Sequence, residues 1–324
     1  MTLLLGVDSG GTKTLAALAS RDGEVVQLIE APSLDPSGGA DWQLALRDLL
    51  GGLAELPQVS AAAFGLPFHG EIDAYSAEQL RVARSLMPIE PVVDNDVRIA
   101  FDGAFAGGAG ALILAGTGSM AWASLAGPSD PHIRVGGWGD VFGDEGSAFW
   151  VGRETLSAIS RELDGRSQQT AFSDAVLQRL GLRANELIAW CYGREQRRRD
   201  IAWLAIIVSQ LADDGLEAAR RLLQRAGDEL ADTLLTAWRR AAGDAPLRWS
   251  FAGGLTDSAI VMQRIEERAG CEPLPRRLPP VGGALCRAAI QAGWDVSPQW
   301  VERVNASLRR FPALTPMTQQ EARA

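Results

Sequence analysis

The stretch Leu3-Leu4-Leu5-Gly6-Val7-Asp8-Ser9-Gly10-Gly11-Thr12-Lys13-Thr14-Leu15-Ala16-Ala17-Leu18-Ala19-Ser20 decides the fold. The apolar run over 3–8 predicts a strand, the glycine pair a turn, and 14–20 a second strand. Arg21-Asp22-Gly23 predicts a hairpin turn, with a third strand over 24–30 ending before Pro32. Three strands in succession form a meander, which excludes the strand–loop–helix opening of a Rossmann domain. The Walker pattern G-x-x-x-x-G-K-S/T also fails. Thr12 separates Gly11 from Lys13, and a strand follows where that motif requires a helix.

Outward from this stretch, the pattern predicts a helix over 41–54, a buried strand over 59–66 and a helix over 76–85 that starts at a serine. A strand over 91–94 then feeds a helix over 95–105, and such alternation argues for α/β layers. The glycine-rich Gly107-Gly108-Ala109-Gly110 predicts a boundary between domains at 1–106 and 107–324. Beyond it the opening pattern partly returns: strand 111–115, turn Gly116-Thr117-Gly118-Ser119, strand 120–125. The region 145–242 reads as mostly helical, 247–252 as a strand entering Gly253-Gly254, and 281–292 as a helix.

A chain of 324 residues suits two domains. With 47% hydrophobic and 22% charged residues, and no apolar run near the roughly 20 residues of a membrane helix, it reads as neither membrane-embedded nor disordered. The 31 basic and 40 acidic residues give a net charge of −9, which disfavours nucleic acid or anionic lipid as a partner. Lys13 is the single lysine. Cys191, Cys271 and Cys286 form no C-x-x-C pair, so they read as reduced core thiols, not zinc or iron–sulfur ligands. His69 and His132 stand apart from any cysteine cluster, although His69 lies in a loop after a strand, where it could line a cleft. The N-terminus lacks a basic region and a long apolar run, which points to the cytoplasm.

Five segments carry chemistry, each with a plainer reading beside it. Gly10, Gly11, Thr12 and Lys13 supply the close backbone, hydroxyl and ammonium that a phosphate needs; the plain reading is a glycine hairpin. Asp8, at a strand end beside that loop, suits a hydrated Mg²⁺. Gly116 to Ser119 is a second such turn or an ordinary one. Asn95-Asp96 is a helix-capping pair or a ligand-facing carboxylate beyond a strand's carboxyl end. Gly136-Gly137-Trp138-Gly139-Asp140-Val141-Phe142-Gly143-Asp144-Glu145-Gly146 holds five glycines in eleven residues together with an aromatic ring and carboxylates, a mix that suits a polyol. Alternatively, Asp144 and Glu145 favour the positive end of the next helix. In Phe251 to Thr256, a strand ends in two glycines that admit a flat ring or make a βα turn.

Taken together, these segments resemble, in order, the phosphate and adenosine elements of the actin-like ATPase superfamily. The combination of GVDSGGTKT, DND, AGTGS, GGWGDVFGDEGS and FAGG is similar to the N-acetylglucosamine kinase branch of the BadF/BadG/BcrA/BcrD ATPase family. The resemblance implies an α/β fold of two ribonuclease H-like (actin-like ATPase) domains around a central cleft, with ATP and Mg²⁺ as cofactors. It implies that Asp8 holds Mg²⁺ through water, that Gly10, Gly11, Thr12, Lys13 and Thr117 contact the phosphates, and that Gly253 and Gly254 lie against adenosine. Asp96 matches the catalytic base; Ser119, Gly137, Trp138, Gly139 and Asp144 match sugar-contacting positions.

The implied activity is phosphorylation of an amino-sugar C6 hydroxyl by a homodimer. Two departures bear on the sugar: Asp35 and Met120 stand where relatives often carry asparagine. Carboxylates at Asp35 and Asp144 would suit a free amine, which sets glucosamine beside N-acetylglucosamine. Two alternatives are an ATPase activator of a radical dehydratase, which the scattered cysteines disfavour, and a non-catalytic sugar-sensing regulator. The latter usually has a helix-turn-helix extension, which is absent before the first strand here.

Overall fold

The computed structural model describes residues 2–11, 13–125, 132–168 and 170–311. In chain order these form β1 (Leu3–Ser9), β2 (Lys13–Ser20), β3 (Val25–Pro32), α1 (Asp41–Gly51), β4 (Val59–Leu66), α2 (Asp73–Leu86), β5 (Val92–Asn95) and α3 (Asp96–Phe105). Next come β6 (Gly110–Ala115), β7 (Ser119–Ser124), β8 (Ile133–Gly136), α4 (Ala148–Leu163), α5 (Ala171–Leu180), α6 (Leu187–Tyr192), α7 (Arg197–Asp213) and α8 (Glu217–Ala242). The chain ends with β9 (Trp249–Ala252), α9 (Ala259–Ala269), α10 (Pro280–Gln291) and α11 (Pro298–Leu308).

Two α/β units result. Among the described residues, the first holds 2–109 and 275–311, the second 110–125 and 132–274. Residues 275–311 thus fall in the first unit and not with 110–125 and 132–274. The reason is burial on both faces of the first sheet, whose order is β3-β2-β1-β4-β5. One face packs Leu3, Leu5, Val7, Leu18 and Phe64 against Trp42, Leu46 and Leu50 of α1. The opposite face, with Leu4, Ala17 and Ala63, needs its own cover and receives Val281, Leu285 and Ala289 of α10 and Trp300 and Val304 of α11. Strands buried on both sides read as continuous apolar runs, and β1 and β4 do.

The meander read from residues 3–30 is present: β1 pairs antiparallel with β2 from Leu3↔Ser20 to Ser9↔Thr14, and β2 pairs with β3. Strands β4 and β5 extend the sheet in parallel. The second unit repeats the plan with order β8-β7-β6-β9, antiparallel except for β9 on β6. Helices α4, α7 and α8 supply most of its core, through residues such as Trp150, Val208, Leu223 and Leu230.

Two local expectations shift. Helix α2 begins at Asp73 instead of Ser76, because the Ser76 hydroxyl donates to the Ile72 carbonyl and accepts from the Gly70 N–H, stitching the preceding loop. Of the three thiols only Cys286 is fully buried; Cys191 is half-buried and Cys271 exposed, and all are free.

Candidate active site

In the first unit the carboxyl ends of β1, β4 and β5 assemble the site. Asp8 pairs in parallel register with Gly65, which pairs with Asp94 one strand further on. A Cβ on Gly65 would stand 2.6 Å from Ile99 Cγ1 and 3.3 Å from the Asp96 Cα. Glycine at this position therefore lets the first turn of α3 rest on β4, within electrostatic reach of Asp8. Burial, then the Asp96 charge, push Asp8 up to about 7 from its usual 3.8, while Lys13 opposes the shift. Asp96 is likewise pushed up to about 7, chiefly by burial; the Val97 N–H opposes this, and Glu71 and Asp35 reinforce it. Both aspartates keep part of their surface open, so the surroundings remove water without sealing them off.

The capping alternative falls to Asn95. Its side chain accepts from the Val97 N–H at 3.0 Å and donates to the His69 carbonyl and to Glu71 Oε1, both at 3.0 Å. Asp96 Oδ1 shares the same N–H at 2.9 Å. Glu71 thus joins this cluster without any announcement in the sequence, since it sits in a loop without motif. His69 contributes its carbonyl, while its ring Nδ1 lies 3.0 Å from Oε1 of the buried Gln79.

The glycine turn is open on its outer side. Gly10 and Gly11 have ordinary φ, and a Cβ on either would meet nothing within 4 Å. Neither backbone conformation nor packing requires glycine there, and the backbone of the turn lies open. Thr12 lies outside the described residues. The Lys13 ammonium donates to Glu30 Oε2 at 3.0 Å. Asp35 accepts from the Ser37 N–H at 2.8 Å and caps a short 3-10 turn. Buried Ser9 anchors that loop through the Leu34 N–H at 2.8 Å, and Ser33 ties it to the Gly10 carbonyl at 2.7 Å.

The second unit brings three predicted segments together. In the turn between β6 and β7, the Gly116 and Thr117 carbonyls accept from the first N–H groups of α4, Ala148 at 2.9 Å and Phe149 at 3.2 Å. The Ser119 hydroxyl donates to the Glu145 carbonyl at 2.7 Å, and the Ser119 N–H to Asp144 Oδ1 at 3.3 Å. Gly137 N–H donates to the Ser119 carbonyl at 3.0 Å. The polyol-like loop is therefore fastened to the phosphate-like turn. Gly253, at φ +98°, packs so tightly that a Cβ would lie 2.4 Å from the Ala115 carbonyl oxygen, whereas Gly254 faces open space. The Trp138 ring is 67% exposed, with the Arg134 guanidinium 5.9 Å from its centre, as suits an aromatic surface awaiting a partner. Gly139 adopts φ +83° beside it. Met120 is buried and fills the space beneath Gly137.

Asp144 departs from the simplest reading of its role. It holds the left-handed φ of +57°, its side chain is 3% exposed, and its Oδ2 accepts from Arg198 Nη2 of α7 at 2.6 Å. Nothing in the local sequence signals this partner, 54 residues away. Further along the same unit a cavity of about 300 Å³ lies between α8 and α9, lined by Arg221, Gln224, Arg225, Asp228 and Arg264.

Two sheets of this order, each carrying a glycine turn after its first strand, with carboxylates at the strand ends of the first, define a two-domain α/β phosphotransfer fold of the actin-like kind. The chain belongs to the BadF/BadG/BcrA/BcrD ATPase family, whose model matches residues 5–285. Among relatives, it is 27% identical over 238 residues to an N-acetylmuramic acid/N-acetylglucosamine kinase of Clostridium acetobutylicum, a match covering 71% of this chain and 77% of that protein. It is 24% identical over 264 residues to a glucosamine kinase of Vibrio cholerae, covering 79% and 87% of the two. Among solved structures, one from Chromobacterium violaceum, provisionally named an N-acetylglucosamine kinase, superposes with a TM-score of 0.71 at 25% identity, covering 88% of this chain and 98% of that one. No helix among the described residues is long and apolar enough to cross a membrane.

Proposed function

We propose that this protein transfers the γ-phosphoryl group of ATP to the C6 hydroxyl of an amino sugar, N-acetylglucosamine or glucosamine. The observation that carries the reading is the Asp8–Asp96 pair flanking Gly65, two carboxylates at the strand ends that burial pushes up to about 7. Their chemistry divides by position. Asp96 at the start of α3 accepts the hydroxyl proton as the sugar oxygen attacks, a role that asks for a pKa near working pH. Asp8, beside the turn of Gly10, Gly11, Thr12 and Lys13, suits a water-mediated Mg²⁺. The described residues gather no cluster of three ligands, and Mg²⁺ bound to nucleotide needs only one or two carboxylates. When bound, that ion neutralises charge on the phosphates.

In phosphoryl transfer the protein chiefly positions and neutralises. The open backbone at Gly10, Gly11 and Gly116, with Thr117, suits β- and γ-phosphate oxygens, and Gly254 suits the adenosine. Lys13 reaches a phosphate by exchanging Glu30 for it. Trp138 offers its exposed face to the sugar ring, and Gly137, Gly139, Ser119 and Asp144 form the loop around it. The activities for which the relatives are named support this reading. The test is ADP release on addition of each sugar, with the product's phosphate position read by NMR; ATP hydrolysis unaffected by any amino sugar would refute it.

A further inference from the structure

The geometry points to Arg198 as the residue that sets the sugar specificity, making the site select an amino sugar whose nitrogen is acylated over one with a free ammonium. The inference rests on the amino-sugar kinase reading above and concerns the loop that carries Trp138.

On sequence alone that loop is acidic, with Asp140, Asp144 and Glu145 within six residues. Folded, its two aspartates share one cation. Arg198 Nη2 donates to Asp144 Oδ2 at 2.6 Å, and Arg198 Nε lies 3.6 Å from Asp140 Oδ1. The guanidinium also abuts the Gly116–Ser119 turn, where a Cβ on Gly118 would stand 3.0 Å from Nη2 and 2.9 Å from Asp144 Oδ2. Glycine at 118 therefore leaves room for this pair inside the candidate sugar site. Nε is buried with no hydrogen-bond partner among the described residues, while the side chain as a whole is 40% exposed.

Three consequences follow for a sugar nitrogen. Asp144, the carboxylate that would attract an ammonium, already holds the Arg198 guanidinium at hydrogen-bond distance, so its own pull on a third charge is largely offset, while Asp140 stands further off at 3.6 Å. The exposed part of the guanidinium repels an ammonium directly. Its remaining N–H groups are donors only, matching the carbonyl oxygen of an N-acyl group. Arg198 also opposes the desolvation that raises the Asp144 pKa, helping to keep that carboxylate an acceptor for sugar hydroxyls.

The experiment compares kcat/KM for glucosamine and N-acetylglucosamine in wild-type protein, Arg198→Met and Arg198→Lys at pH 6 and pH 9. Wild type should favour N-acetylglucosamine, and its glucosamine to N-acetylglucosamine ratio should rise at pH 9, where the amine is neutral. Arg198→Met should raise the pH 6 ratio at least about tenfold and reverse the pH trend, while Arg198→Lys keeps the wild-type order. A wild type that prefers glucosamine at pH 6 overturns the inference. So does a Met variant that loses both sugars equally, which marks Arg198 as structural only. Should the Met variant fail to fold, the wild-type pH trend decides alone. Failure of the underlying kinase reading shows differently, as no turnover of either sugar by wild type.

Discussion

Burial pushes the Asp96 and Asp8 carboxyls up to about 7 from a usual 3.8, so these two residues should shape the pH behaviour. A carboxyl whose pKa is raised by folding stabilises the native state fully below its unfolded pKa, and that contribution is lost as pH rises through the folded one. These two groups should therefore lower stability between about pH 4 and pH 7, a trend that thermal melts without nucleotide will read. Asp8→Asn should flatten it. Activity runs the opposite way, because a base must be deprotonated: kcat/KM should fall as pH drops through 7, with the coupled pair setting the apparent value. Glu71 raises the Asp96 pKa, so Glu71→Gln should move this acid limb to lower pH while still accepting from Asn95. An unmoved limb would remove Glu71 from the site. As candidates, Asp8 and Asp96 stood out in the sequence because a carboxylate at a buried strand's end is conspicuous. Glu71 and Arg198 did not, since only tertiary folding brings an unpatterned loop and a helix start to these positions.

At the level of elements, α3 and α10 cross with their backbones in close contact. A Cβ on Gly283 would lie 2.1 Å from the Ile99 carbonyl oxygen and 2.4 Å from the Gly103 nitrogen. Gly283→Ala should thus cost roughly 1–3 kcal/mol through overpacking, measured by denaturant unfolding. A buried charge quartet lies at the same crossing. Arg98 Nε stands 3.3 Å from Asp102 Oδ2, Arg287 Nη2 is 3.0 Å from Asp94 Oδ2, and Arg287 Nη1 is 3.6 Å from Asp102 Oδ2. Asp102→Ala would leave two arginines short of a partner and should destabilise by about 3 kcal/mol or more. A cost below about 1 kcal/mol would mean that water reaches the pair. Local sequence revealed both helices, since their apolar residues recur at helical spacing. It did not reveal β8, whose four residues are half-buried and run into Gly136 and Gly137.

Across the whole molecule, the return of the C-terminal helices to the first sheet escaped the sequence reading. Apolar periodicity tells that α10 is buried, with Val281 to Cys286 almost wholly enclosed, but not which sheet encloses it. The repeated strand–turn–strand units were legible because each turn is local. Trp300, Val301, Val304 and Leu308 of α11 are each no more than 2% exposed. At about 1.5–3 kcal/mol per buried side chain, a chain ending after residue 291 should lose most of its stability and precipitate or melt near ambient temperature.

Asp96→Asn, assayed for sugar-dependent ADP release alongside ATP binding by calorimetry, tests the proton acceptor directly. Its kcat should be lower by about 10²–10⁴ with the ATP Kd within about twofold of wild type. Turnover close to wild type would contradict that role, because the proton of the attacking hydroxyl would then have some other acceptor.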